Sequence, residues 1–278
     1  MLTVSIVVHR TPPGQLRKAL ECVLRSAADK IYVIDNSPDD SLAKVAGSVP
    51  RTEYRHVDNN GFGASHNIAI REVTAKGDYH LVMNADVCWE GEILGTLVEY
   101  MENNPSVGMV APRVYYPDGV LQYSCRMLPT PADLFAKRFL PRRMVERRME
   151  RYLLAAHDHS KEIDCPYLLG SFLLFRVEAL RDCGLFDERF FMYPEDIDIT
   201  RRIHERWRTV FCPEVSIVHE HAAASRKNKK MLWIHFVNMV KYFNKWGWLA
   251  DKKRSDFNKT LLKGISFLPR DARPYGRG

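Results

Sequence analysis

The chain has 278 residues, a formal net charge of +7, 46% hydrophobic residues and 27% charged residues. That is enough apolar material for one large domain or two small ones, and it excludes a mainly disordered chain. No run of about 18 apolar residues occurs, which excludes a spanning helix. Six cysteines with no CxxC pair argue against a zinc site or a disulfide framework.

The chain enters a strand pattern at once, Leu2 to Val8, without the charged start and cleavage site of a signal peptide. A cytoplasmic protein with reduced thiols is expected. Leu16, Leu20, Val23 and Leu24 then recur at helical spacing. Ile31 to Ile34 and Tyr54 to Val57 read as strands, followed by a helix from Ala64 to Thr74. A strand over Tyr79 to Met83, a helix over Glu92 to Glu102 and a strand over Val107 to Ala111 complete the first 111 residues. This β-α-β order predicts an α/β fold with a doubly wound, mainly parallel sheet.

After Pro112 the pattern changes. Val114 to Tyr123, around Pro117-Asp118-Gly119, predicts a hairpin. Ala132 to Ala156 reads as a basic helix, and Tyr167 to Phe175 as strand. A helix is expected from Glu195 to Arg206, then short strands at Val210-Phe211 and Val215 to Val218. A last amphipathic helix spans Asn228 to Trp246, with a loose polar tail after it.

Three expected strand ends carry polar clusters: Asp35-Asn36-Ser37, Asp58-Asn59-Asn60 and Asn84-Ala85-Asp86. Parallel sheets bind ligands beyond the carboxyl ends of their strands, so these clusters share one rim. Asp86 suits a hard divalent cation, and His219 or His221 can complete such a site. A turn carboxylate capping the next helix is the plainer account of Asp86 taken alone. Phe186 to Asp198 packs five carboxylates among aromatics before a helix. Capping and an Asp198–Arg202 pair explain part of it. A carboxylate desolvated by those aromatics becomes a general base. Gly61 to Asn67 is glycine-rich before a helix, yet it is neither GxGxxG nor a P-loop.

As a set, Val4 to Val8, Val33 to Ser37, Asn59 to Asn67, Leu81 to Val87, Gly170 to Arg176, Phe186 to Phe191, Glu195 to Asp198 and Val218-His219 resemble glycosyltransferase family 2, in particular its rhamnosyltransferase-like branch. The resemblance implies a GT-A fold over 1–225. Residues 1–111 would form the nucleotide-sugar half. Residues 112–225 would form the acceptor and catalytic half, with a basic helical insert at about 130–157. A C-terminal helix and basic tail would follow over 226–278.

The resemblance implies roles as well. Asp35 would recognise the base, helped by backbone near Val8 and His9. Asn60, Gly63, Asn67 and Asn84 would line the nucleotide pocket, and Gly170 and Ser171 would sit under the donor sugar or acceptor. Asp86 and His219 would hold Mg2+ or Mn2+. Asp196 would be the catalytic base, with Glu195 beside it. The sequence departs from the family in His9-Arg10-Thr11, in Asn84 where many relatives carry Asp, and in Ala222-Ala223-Ala224.

The activity implied is inverting, metal-dependent transfer of a sugar from a nucleoside diphosphate, dTDP-rhamnose or similar, to a glycan or lipid-linked saccharide. A UDP-hexose donor and a catalytically silent nucleotide-sugar-binding protein are the alternatives. Basic runs at Lys137–Arg151 and Arg226–Arg254 fit a phosphate-bearing acceptor at the inner membrane face. No nucleic-acid-binding motif accompanies them.

Overall fold

The computed structural model describes residues 1–133, 141–220, 229–266 and 268. The first half supplies β1 (Leu2–Val8), α1 (Pro13–Leu24), β2 (Lys30–Asp35), α2 (Ala43–Gly47), β3 (Thr52–His56), α3 (Phe62–Val73), β4 (Tyr79–Asn84), β5 (Val87–Cys88), α4 (Ile93–Asn103) and β6 (Val107–Tyr115). Next come β7 (Leu121–Gln122), β8 (Cys125–Arg126), α5 (Arg142–Tyr152), β9 (Ile163–Asp164), β10 (Tyr167–Leu168) and β11 (Phe172–Arg176). The last elements are α6 (Val177–Cys183), α7 (Glu195–His204), β12 (Arg208–His219), α8 (Lys229–Trp246) and α9 (Lys252–Gly264).

The main sheet runs β3-β2-β1-β4-β11-β6-β12-β5. Strands β3, β2, β1 and β4 are parallel. Strand β11 enters antiparallel between β4 and β6, and β12 returns parallel to β6. The pleat sends alternate residues to opposite faces. Leu81, Met83, Phe172 and Leu174 pack with α1 and α4 on one side. Val82, Leu173 and Phe175 pack with Ile70 of α3 and Ile199 of α7 on the other. The edge strand β3 is half-buried and carries Glu53 and Arg55, paired to Lys30 and Glu72, which blunts an exposed edge.

Two expectations need correction. The residues after Trp246 are not a loose tail: Asp251 caps α9 by accepting from Arg254 N at 3.0 Å. The strands expected at Val210-Phe211 and Val215 to Val218 are one strand, β12, with a register shift between Cys212 and Ser216 that absorbs Pro213. The predicted hairpin forms, with Val114 opposite Gln122. Residues 134–140 of the expected basic helix, and His221, lie outside the described residues.

The α3 face of β1 is polar. Thr3 Oγ1 meets His80 Nδ1 at 2.8 Å, and Ser5 Oγ meets His80 Nε2 at 2.8 Å and His66 Nδ1 at 2.7 Å. Burial holds His66 well below the ordinary imidazole range and His80 down at about 3. Below about pH 6.5 the unfolded chain takes up protons that these histidines refuse. Stability is therefore expected to fall as the pH drops below about 6.5, by up to about 1.4 kcal/mol per pH unit for each histidine that stays neutral in the fold. The raised carboxyls of Glu195 and Asp196 act oppositely, so the check compares denaturant unfolding of wild type with His66→Gln/His80→Gln. Equal pH slopes in the two proteins would refute it.

Candidate active site

Helix α7 begins at the dense carboxylate segment, and the fold sorts those five groups. Asp187 pairs with Lys245 at 2.8 Å, and Glu188 binds Arg71 and accepts from Asn67 Nδ2 at 2.9 Å. Asp198 takes Arg202 at 2.8 Å, Lys245 at 2.6 Å and Trp246 Nε1 at 2.8 Å. Only Glu195 and Asp196 turn to a cleft of 520 Å³.

Asp196 Oδ2 accepts from Gly170 N at 2.9 Å and faces the Tyr167 hydroxyl at 3.4 Å, and Oδ1 accepts from Ile197 N at 2.8 Å. Burial pushes its carboxyl up to about 6, against the two backbone N–H groups, the Arg126 guanidinium and Tyr167. Glu195 is pushed well above the carboxylate range by burial and by Asp196 next to it. Its Oε2 and the Ser171 hydroxyl, both in the cleft wall, are buried with no hydrogen-bond partner among the described residues. Buried polar groups without partners are costly, and each calls for a reason.

The same cleft is lined by Asn84, which ends β4, and His219, which ends β12. Pairing of His219 with Val87, and the bond from Glu220 N to Asp86 O at 3.0 Å, hold Asp86 beside His219. His219 Nδ1 lies 2.7 Å from Gln122 Oε1, which requires Nδ1–H to donate. Nε2 then faces Asp86 Oδ1 at 3.3 Å, with Asn84 Nδ2 at 3.4 Å. A cation set between that carboxylate oxygen and that imidazole nitrogen would draw on a lone pair from each. A carboxylate oxygen and an imidazole nitrogen fixed from behind by Gln122 fit a divalent ion such as Mn2+. Among the described residues no cluster of three or more His, Cys, Asp or Glu forms a fuller ligand set.

The remaining expected residues divide into three groups. Asn84, Gly170 and Ser171 line the cleft. Val8 and Asp35 are neighbours in register on β1 and β2, and His9 meets Asn36 O at 2.7 Å, so these and exposed Asn60 share the adjoining strand ends. Asp35 is fully buried, accepting from Ser37 N and the Tyr54 hydroxyl at 2.8 Å each, which closes its carboxylate in this conformation. Gly63 and Asn67 are placed elsewhere than expected. A Cβ on Gly63 would come within 2.8 Å of Phe186 Cβ, and Asn67 spends its amide on the backbone of Phe186. Both clamp the loop that leads to α7. Gly61, at φ 102°, serves the same loop: a Cβ there would collide with the Phe191 carbonyl.

Gln122, Arg126, Tyr152 and Tyr167 also line the cleft, and no motif announced them, whereas Tyr193, which lines it too, belongs to the aromatic segment Phe186 to Asp198. Tyr193 holds a left-handed φ of 91° just before Glu195 and Asp196, its ring 4.7 Å from that of His235 on α8.

The model of Glycosyl transferase family 2 matches residues 3–184, more than half of the chain. An N-acetylglucosaminyl-diphospho-decaprenol L-rhamnosyltransferase of Mycobacterium tuberculosis is 28% identical over 186 residues, covering 61% of this chain and 59% of that protein. The match thus spans less than two thirds of the relative's length. Rhamnosyltransferase WbbL of Escherichia coli is 25% identical over 251 residues, 85% of this chain and 90% of WbbL. GalNAc-T7, solved with UDP, GalNAc and Mn2+, superposes with a TM-score of 0.59 at 15% identity, over 79% of this chain and 43% of that one. S. aureus TarS 1-349 gives 0.58 at 13% identity, over 94% and 70%. These structures share the GT-A arrangement of the sheet and its flanking helices. The strand order, the polar strand ends and the family match together make this chain a member of glycosyl transferase family 2.

Proposed function

We propose that the protein transfers a deoxysugar, rhamnose or similar, from a nucleoside diphosphate to a saccharide carried on a lipid diphosphate, with inversion. The observation that carries this reading is that one cleft is lined by both Asp196 and His219, with Asp86 3.3 Å from His219. The names of the mycobacterial and E. coli relatives support the donor sugar and the acceptor class.

Asp196, near pH 6 in its titration, accepts the proton of the attacking hydroxyl while Gly170 and Ile197 fix its orientation. Glu195 and Ser171 receive neighbouring hydroxyls. Magnesium or manganese on Asp86 and His219, when bound, supplies charge neutralisation to the departing diphosphate. His9 and Asn60, with the backbone near Val8, supply the base end of the donor site, Asp35 joins it when Tyr54 releases its carboxylate, and Asn84 lies at the diphosphate end. No described helix is long and apolar enough to cross a membrane. The first half of α8 nevertheless exposes Leu232 (59%), Trp233 (64%) and Phe236 (45%) beside Lys229 and Lys230. We read it as a peripheral contact with the cytoplasmic face of a membrane.

The test is release of nucleotide from a panel of dTDP-, UDP- and GDP-sugars with acceptor, with and without EDTA. Metal-dependent release from dTDP-rhamnose supports the reading. No release from any donor with Mn2+ or Mg2+ sinks it.

Gly170 gives a sharper check. A Cβ there would stand 3.0 Å from Asp196 Cβ and 3.2 Å from Oδ2. Gly170→Ala is expected to lower kcat by roughly 10–100-fold through misplacement of the base, with the thermal midpoint little changed. Unaltered kcat would show that Asp196 tolerates displacement.

A further inference from the structure

Helices α5 and α9 face each other across a second groove, of 720 Å³, which shares the wall residue Tyr152 with the cleft. Five cationic side chains line it: Arg147, Arg148, Arg151, Arg254 and Lys259. Two of them are internally engaged. Arg148 pairs with Asp133 at 2.5 Å, and buried Arg254 donates to the carbonyls of Gly247 and Trp248 at 3.3 and 3.1 Å. The groove's other carboxylate, Asp251, is taken by Arg201 through two bonds of 2.7 Å.

The three that remain, Arg147, Arg151 and Lys259, are exposed and form no ion pair within the described residues. Arg147 and Arg151 stand four apart on one helix, where like charges repel. The α5 carbonyl end offsets Arg151 alone. Three uncompensated cations are thus gathered in a concave wall that adjoins the catalytic cleft. The groove's rim is apolar, with Met144 55% and Leu249 90% exposed.

We propose that this groove binds the diphosphate of the acceptor. The diphosphate lies on Arg147, Arg151 and Lys259, the acceptor sugar reaches past Tyr152 toward Asp196, and the first lipid carbons leave over Met144 and Leu249. The proposal rests on the transferase reading for the identity of the acceptor, and on the charge arrangement for the site itself. Charge-assisted contacts from guanidinium groups to phosphate oxygens are among the strong hydrogen bonds.

The experiment uses the full chain and the variant Arg147→Ala/Arg151→Ala/Lys259→Ala, whose substitutions are all on exposed side chains. Inorganic pyrophosphate is titrated calorimetrically in EDTA, which removes the metal-dependent donor site. Binding is expected to weaken roughly tenfold or more in the variant. In detergent, KM for a short-chain sugar-diphospho-lipid is expected to rise by a similar factor, while KM for the donor and turnover of an alkyl glycoside of the same sugar stay unchanged. Identical pyrophosphate titrations, or equal losses on both acceptors, overturn the proposal. So does a variant that loses only sedimentation with phosphatidylglycerol vesicles, since the groove is then a membrane contact. If the wild type turns over no donor yet its pyrophosphate binding depends on these three residues, the transferase reading fails and the diphosphate site stands.

Discussion

Asp196→Asn is expected to lower transfer by about 10²–10⁴-fold, the usual worth of a positioned general base, while the donor still binds. The amide keeps the size of the carboxylate but cannot take a proton. In the wild type the carboxylate must be ionised to act, and burial sets its titration at about 6. kcat is therefore expected to be flat above pH 7 and to fall tenfold per unit well below 6. That acid limb should vanish in the residual activity of Asp196→Asn. The measurements are kcat against pH and donor affinity by titration. Near-normal transfer by the variant would remove Asp196 from its role. A wild-type limb centred near 4 would show a carboxyl that burial has not perturbed.

Asp251→Ala is expected to cost about 3–5 kcal/mol of stability, because it leaves a buried guanidinium unpaired. The side chains of Arg201 and Asp251 are 1% and 3% exposed, and Arg201 lies 4.0 Å from the Trp246 ring centroid. Asp251 also caps α9, so part of the loss is a lost cap. At roughly 2–4 °C per kcal/mol for a chain of this size, the thermal midpoint should drop by about 10 °C. Arg201→Met/Asp251→Ala should recover part of that, since the Arg201 charge is gone while buried Arg254, 3.7 Å from Asp251, still loses its carboxylate. Denaturant unfolding of the three proteins decides it, and a loss under about 1 kcal/mol for Asp251→Ala would contradict the buried-pair account. The pair matters to the site because Arg201 belongs to α7, whose first turn carries Glu195 and Asp196.

Much of the sheet and part of the site were legible in the sequence for a common reason. Buried parallel strands such as Ile31 to Ile34 and Tyr79 to Met83 announce themselves as apolar runs, and each ends in polar residues that have nowhere to go but the rim. The helix at Glu195 was legible from Pro194 and its acidic first turn. What was not legible depends on contacts distant in the chain. Helix α9 has few apolar residues, and its anchor is Arg201, 50 positions away. Strand β12 looks broken at Pro213 because sequence alone does not show that a register shift can absorb it. Gln122 and Arg126 sit on two-residue strands with no periodicity to read. Gly63 and Asn67 were singled out by local pattern, but that pattern does not distinguish a glycine and an amide that meet phosphate from a pair that meets Phe186.

The seam of Thr3, Ser5, His66 and His80 has a consequence for folding as well as for acid stability. Strand β4, apolar on both faces at Leu81, Val82 and Met83, carries little register information in those residues, since neighbouring apolar side chains are nearly interchangeable. Sliding β1 against β4 by a single residue would leave two hydroxyls and two imidazoles without partners in the core, at about 1–3 kcal/mol for each stranded group. The hydroxyl-imidazole chain thus works as a key cut for one lock. It tells Leu2–Val8 which neighbour to take and at which position, something greasy side chains alone leave nearly undecided.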